Sequence, residues 1–101
     1  MIRAVFEAED DRYLSLDVRG HAMSNDYGKD LICASVSSIM FGFLNALDAL
    51  EEDIDIRQTD DTITVVDRSD SKIVQDYFEL VIMQLKTIEA SYGNFIKVER
   101  K

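Results

Sequence analysis

Two segments of the sequence indicate the fold class. In the first, apolar and polar residues alternate, and in the longer second one apolar residues recur at helical spacing. Residues 13–19 read YLSLDVR, and residues 30–50 read DLICASVSSIMFGFLNALDAL. The alternation in the first predicts a β-strand whose even-numbered residues, from Leu14 to Val18, face a core, while Tyr13 faces away. In the second, apolar residues recur every three or four positions, which predicts an amphipathic helix over residues 30–50. A strand that leads into a long helix indicates a domain that combines a sheet with helices.

The same criteria, applied to the rest of the chain, predict seven elements in the order ββαββαβ. The other expected strands and the second helix cover residues 2–8, 53–58, 62–67, 95–99 and 71–92. Inward-facing apolar residues are expected in the third and fourth strands at Ile54, Ile56, Ile63 and Val65. Ser69 or Ser71 is expected to cap the second helix. We therefore expect the α+β fold class, with two helices packed on a mixed sheet and residues 1–101 forming a single domain.

Composition excludes several classes of protein. The formal net charge of −9 argues against direct binding of nucleic acid or of anionic membrane, and it favours a basic partner. We find no secretory signal and no apolar run that approaches the roughly 20 residues needed to span a membrane. The single cysteine excludes a disulfide within the chain and any multi-cysteine metal site.

His21 and Cys33, the only histidine and the only cysteine, fall in one short stretch. We expect Cys33 in the first turn of the long helix, where free backbone N–H groups and the helix dipole stabilise a thiolate. The loop of residues 21–29 is long enough to fold His21 back over this helix start. A Cys–His pair in that arrangement suits nucleophilic acyl transfer.

Each of these residues also has a structural interpretation that stays open. Cys33 can be a small core residue, and Asp30 can cap the helix rather than orient His21. Ser37, four residues after Cys33, can bond to its own helix backbone rather than to the sulfur. A metal site that adds Asp26 or Asp30 to the histidine and the cysteine is a further alternative. Gly42, in mid-helix, predicts close packing against that face, because glycine costs about 1 kcal/mol relative to alanine there.

The pattern around these positions is Gly20-His21-Ala22, then Gly28-Lys29-Asp30-Leu31-Ile32-Cys33-Ala34, and then Ser37. This pattern resembles the signature of the ribosomal-processing cysteine proteases, the Prp family. The pairs at 41–42 and 45–46 and the helical segment 85–89 are also similar to that family. The order of the elements and the chain length match over essentially the whole sequence.

The resemblance implies a small cytoplasmic endopeptidase, and neither a cofactor nor a metal is expected. Its expected substrate is the precursor of a large-subunit ribosomal protein, number twenty-seven of that subunit. The enzyme would remove a short N-terminal extension by cutting after an aromatic residue. Carried over by matching positions, Cys33 is the nucleophile and His21 is the general base and acid. Asp30 and Ser37 occupy the remaining polar positions of the signature, as supporting or orienting residues.

The resemblance also implies a homodimer and a substrate loop, to which Gly20, Ala22 and Gly28 belong. Two other functions stay open. In one, the protein is a non-catalytic ribosome-assembly module that docks a basic ribosomal protein on its acidic face, and Cys33 only packs. In the other, Cys33 is a redox sensor, although the chain holds no second cysteine to resolve a sulfenic acid.

Overall fold

The expected order ββαββαβ is confirmed in a computed structural model that describes residues 1–20 and 27–101, with only the backbone of residues 27–30. The elements are β1 (Ile2–Glu9), β2 (Arg12–Arg19), α1 (Tyr27–Leu50), β3 (Ile54–Gln58), β4 (Thr62–Asp67), α2 (Lys72–Tyr92) and β5 (Ile96–Arg100). The strands form one sheet in the order β3-β4-β2-β1-β5. Strands β1 and β5 are parallel and the other neighbours are antiparallel, so the predicted α+β class with a mixed sheet is confirmed.

The core lies between one face of the sheet and the two helices. The buried apolar side chains are Ile2, Ala4, Phe6, Leu16, Val18, Ile32, Val36, Met40, Phe43, Leu47, Ile63, Val65, Val74, Phe78, Val81, Ile82, Leu85 and Ile96. At its centre, the Phe78 ring meets Phe43 edge-on at 5.2 Å and stacks on Tyr13 at 6.2 Å. The edge strand β3 contributes less than expected, because Ile54 is half-buried and Ile56 is exposed.

The alternation of β2 is interrupted at Leu14. Ser15 pairs with Glu7 and Tyr13 pairs with Ala8, so Leu14 is the extra residue of a β-bulge. Tyr13 therefore lies on the helix side of the sheet, where its ring contacts Phe6 at 5.9 Å. The predicted outward position of Tyr13 is wrong, because one extra residue reverses which side chains face the core.

Helix α1 is longer than predicted, and its buried apolar stripe contains an additional residue. It begins at Tyr27 rather than Asp30, and Met40 joins its buried stripe. The span Leu31–Leu50 has a mean hydropathy of 1.6 and is, by length and composition, long enough to cross a membrane. The prediction that the chain contains no apolar run of this length is therefore wrong. In this fold the apolar stripe packs into the core, yet only 28% of the span is buried. Much apolar helix surface is left exposed.

The N-terminal end of α2 is attached to the sheet through Gln75. Its side-chain amide accepts a hydrogen bond from Tyr13 N at 2.7 Å and donates to Tyr13 O and to Asp67 Oδ2, both at 2.8 Å. Asp67 is buried, and its Oδ1 accepts from Ser69 N at 2.8 Å and Ser69 Oγ at 2.6 Å. Ser71, rather than Ser69, is the N-cap of α2. These bonds fix where α2 lies on the sheet.

Candidate functional site

Cys33 lies in the second turn of α1, six residues after the first helical residue, Tyr27. The prediction that it occupies the first turn is therefore wrong. The first free amide of the helix, that of Tyr27, is about 9 Å away along the axis, and the dipole effect falls off within the first turn. The thiol is free, half-buried and packed against the edge of the core. The start of α1 is therefore farther from the sulfur than the sequence indicated.

Ser37 and Asp30 are one helical turn from Cys33, on either side of it. Ser37 follows by four residues, on the same flank of α1, and is half-buried. Asp30 precedes by three residues and belongs to the first turn of α1, so it is not the N-cap. The backbone thus places both residues at helical spacing from the thiol, as a supporting role requires. The side chain of Asp30 is outside what the structure describes.

The segment that precedes α1 carries the other predicted site residues. His21 and Ala22, like Asp26 of the metal alternative, lie outside the described residues. Gly28 lies in the first turn of α1 rather than in a loop, and its assignment to the residues that contact substrate stays a prediction. Among the side chains that the structure describes, no cluster of three histidine, cysteine, aspartate or glutamate residues is placed to hold a metal ion.

Gly20 ends β2 and has a structural role of its own. Its φ is +85°, and a Cβ built there would lie 2.7 Å from Met1 O. Its N–H donates to Asp61 O at 2.9 Å. Only glycine tolerates both the backbone conformation and the contact. Gly20 therefore fixes the point from which the chain continues into the segment that contains His21.

A groove of about 430 Å³ runs between α1 and α2. Its lining residues are Ser38, Ile39, Gly42, Phe43, Ala46, Tyr77, Leu80, Val81 and Gln84. A Cβ at Gly42 would meet no described atom within 4 Å, so the predicted close packing of this face does not occur among the residues that the structure describes. Nine residues, or about 2.5 turns, separate Gly42 from Cys33, which puts them on opposite sides of the helix. The groove therefore does not face the thiol.

A smaller hollow of about 170 Å³ lies between the C-terminal half of α1 and strand β3. Its lining residues are Leu47, Asp48, Glu51, Glu52, Ile54 and Ile56. Leu44, eleven residues after Cys33, and Leu47 follow the flank of α1 that carries the thiol. The hollow is thus on the same flank as Cys33.

Comparisons with known proteins give one consistent family. The profile of the family described as "Cysteine protease Prp" matches residues 1–97. The ribosomal processing cysteine protease Prp of Mycoplasma pneumoniae is 36% identical over 89 residues, which cover 83% of this chain and 84% of that relative. Two crystal structures of S. aureus Prp cover 100% of both chains: one with a substrate peptide (TM-score 0.92, 26% identity) and one with a covalently linked product peptide (TM-score 0.89, 27% identity). The chain belongs to the Prp family of cysteine proteases.

Proposed function

We propose that this protein is an endopeptidase in which Cys33 is the nucleophile and His21 is the general base and acid. A cysteine protease needs a cysteine nucleophile, and this chain contains a single cysteine. That observation carries the assignment, and the half-buried position of the thiol supports it, because a substrate can reach a side chain that is not enclosed. The single histidine is the matching candidate for the base.

The proposed reaction follows from these two groups. His21 takes the proton from Cys33 Sγ, and the sulfur attacks the scissile carbonyl carbon. Collapse of the tetrahedral intermediate breaks the C–N bond, leaves a thioester on Cys33 and passes the proton from His21 to the leaving amine. A water molecule, deprotonated by His21, then hydrolyses the thioester and frees the thiol. Asp30 and Ser37, one turn from Cys33, are proposed to orient the pair.

The proposed substrate is the precursor of large-subunit ribosomal protein number twenty-seven, cut after an aromatic residue of its N-terminal extension. The S. aureus relative bound to a substrate peptide supports the peptide as substrate, and its covalently linked product peptide supports covalent catalysis. The net charge of −9 favours encounter with a basic ribosomal protein. The need for a reduced thiol, together with the location of ribosomes, supports action in the cytoplasm.

We also propose that the protein acts as a homodimer through the groove between α1 and α2. Leu80 and Met83 of α2 are 60% and 55% exposed, and the space over Gly42 is open. A second copy that places its Leu80 over Gly42 would fill both grooves by the same contact, as a two-fold interface requires. Sedimentation should show dimers that Leu80→Glu dissociates, whereas Phe41→Glu, on another side of α1, leaves them intact. A native protein that sediments as a monomer at micromolar concentration would contradict this proposal.

The experiment that tests the protease assignment is cleavage of the purified ribosomal protein precursor, followed by mass spectrometry. Native protein should release the extension, whereas Cys33→Ala and His21→Ala should show no cleavage with unchanged circular dichroism. Ser37→Ala is expected to lower kcat, and Ser35→Ala is the matched control, because Ser35 Oγ donates to Leu31 O at 2.9 Å on another face of α1. Normal cleavage by Cys33→Ala would refute the nucleophile assignment.

Labelling of the thiol separates an enzyme from a binding module. Iodoacetamide reacts with thiolate, so its rate against pH reports the ionisation of Cys33. We expect labelling at pH 7 to be faster in native protein than in His21→Ala, because a histidine close to the sulfur favours the reactive thiolate. An inert thiol in a protein that still binds the precursor would support the non-catalytic module instead.

A further inference from the structure

Strand β3 is an edge of the sheet and one side of the hollow beside α1. Its only strand partner among the described residues is β4, so one row of its backbone N–H and C=O groups points outward. Such a row is a template on which an extended peptide can add as a further strand. Ile56, on the helix side of β3, is 38% exposed, so a peptide there would find apolar surface beside the backbone groups.

The hollow is acidic. Asp48, Glu51 and Glu52 line it, and within the described part of the chain none of the three side chains makes a hydrogen bond or an ion pair. Glu51, with a φ of 55°, has a left-handed backbone at the point where the chain leaves α1. A hollow lined by apolar residues and by unpaired acids suits a lysine or an arginine, whose stem packs on apolar surface while its charge meets a carboxylate.

The distance from Cys33 to the hollow determines which residues of a bound substrate can contact the hollow. Fifteen residues of helix separate Cys33 from Asp48, which is about 22 Å along the axis of α1. An extended peptide covers that distance in about six or seven residues. Because the proposed cut removes a short N-terminal extension, most of the substrate chain follows the cut, and we therefore assign the contact to that part.

We propose that β3 and the acidic hollow form a substrate-docking site for a basic, extended segment that begins about six residues after the scissile bond. This inference rests on the proposed function, because the distance is counted from Cys33 as nucleophile. The segment adds to the edge of β3 and directs its basic side chains over Ile56 to Asp48, Glu51 and Glu52. The site holds the substrate and takes no part in the chemical step.

Two peptides test the site in the native protein. They share the sequence up to five residues after the cut, and one continues with three lysines where the other has three glutamines. We expect kcat/KM to be about 3–10-fold higher for the lysine peptide, mainly through KM, because each exposed charge pair adds a small amount. The preference should vanish at about 1 M salt. In Asp48→Asn/Glu52→Gln it should fall to near one, while the control Glu9→Gln/Asp11→Asn, with the same charge change at the turn between β1 and β2, keeps it.

A binding measurement keeps the result interpretable if cleavage fails. Inactive Cys33→Ala protein should bind the lysine segment more tightly than the glutamine segment, and the binding should slow hydrogen exchange of amides in residues 54–58. Cleavage of both peptides at equal rates would overturn the docking site and leave the protease assignment intact. Cleavage of neither peptide, with lysine-selective binding retained, would overturn the protease assignment and the position of the segment relative to a cut, while the basic docking surface at β3 would stand. Equal binding of both segments, or unchanged exchange in β3, would overturn the docking site.

Discussion

Replacing Gln75 by alanine should destabilise the protein far more than its position on a helix surface suggests. The change removes two bonds to the Tyr13 backbone and one to Asp67 Oδ2, all between 2.7 and 2.8 Å. Each hydrogen bond contributes about 1 kcal/mol net, and a bond to a carboxylate contributes more. The higher helix propensity of alanine offsets this loss by a few tenths of a kcal/mol. We expect the free energy of unfolding to fall by about 2–4 kcal/mol, a large part of the 5–15 kcal/mol typical of such domains.

The assay is urea unfolding followed by circular dichroism, at one protein concentration for all variants. Ser91→Ala is the control, because it shortens an exposed polar side chain of the same helix to alanine, outside the proposed dimer groove, and that side chain makes no hydrogen bond among the described residues. The control should change stability by less than about 0.5 kcal/mol. A loss below about 1 kcal/mol for Gln75→Ala, with the control behaving as expected, would refute the argument that this side chain holds α2 to the sheet.

Three further changes follow from single contacts. Burial and the hydrogen bond to Glu79 raise the pKa of Tyr13 above its usual 10.0. The free energy of unfolding should therefore fall as pH rises above about 10. Tyr13→Phe should reduce this loss, which urea midpoints measured from about pH 8 to 11 would show. Gly42→Ala should stabilise the monomer by about 0.5–1 kcal/mol in urea unfolding, since space is open there, yet weaken the proposed dimer in sedimentation. Gly20→Ala should cost at least about 2 kcal/mol in the same assay, through its positive φ and the clash with Met1 O, and an unchanged midpoint would contradict the close contact.

The sequence predicted the elements well because each depends on side chains close together in the chain. Alternation in residues 62–67 and the helical period in 71–92 gave β4 and α2 to within a residue of their observed bounds. The sequence predicts the start of α1 at Asp30, whereas the helix begins at Tyr27. Gly28 is typical of a loop, but Asp26, which directly precedes Tyr27, is a residue type favoured at N-caps, so the local signals conflict.

What the sequence did not predict depends on residues far apart in the chain. The bulge at Leu14 follows from how β1 and β2 pair, and the role of Gln75 depends on Tyr13, 62 residues earlier. The open face over Gly42 likewise follows from where α2 lies. Cys33 was singled out as the only cysteine, yet its position in α1 differs from the prediction, because the helix begins earlier, at Tyr27.

Three sides of helix α1 point in different directions around its axis and have different proposed roles. The stripe through Val36 and Phe43 faces the sheet, Cys33 lies on one flank, and Gly42 lies about half a turn away on the other. A second copy against Gly42 and a substrate along β3 would therefore occupy different sides and not compete. Because the helix is rigid, its core contacts keep both surfaces at a fixed distance from the thiol. The proposed dimer would cover part of the apolar surface that α1 leaves exposed opposite Cys33, around Gly42.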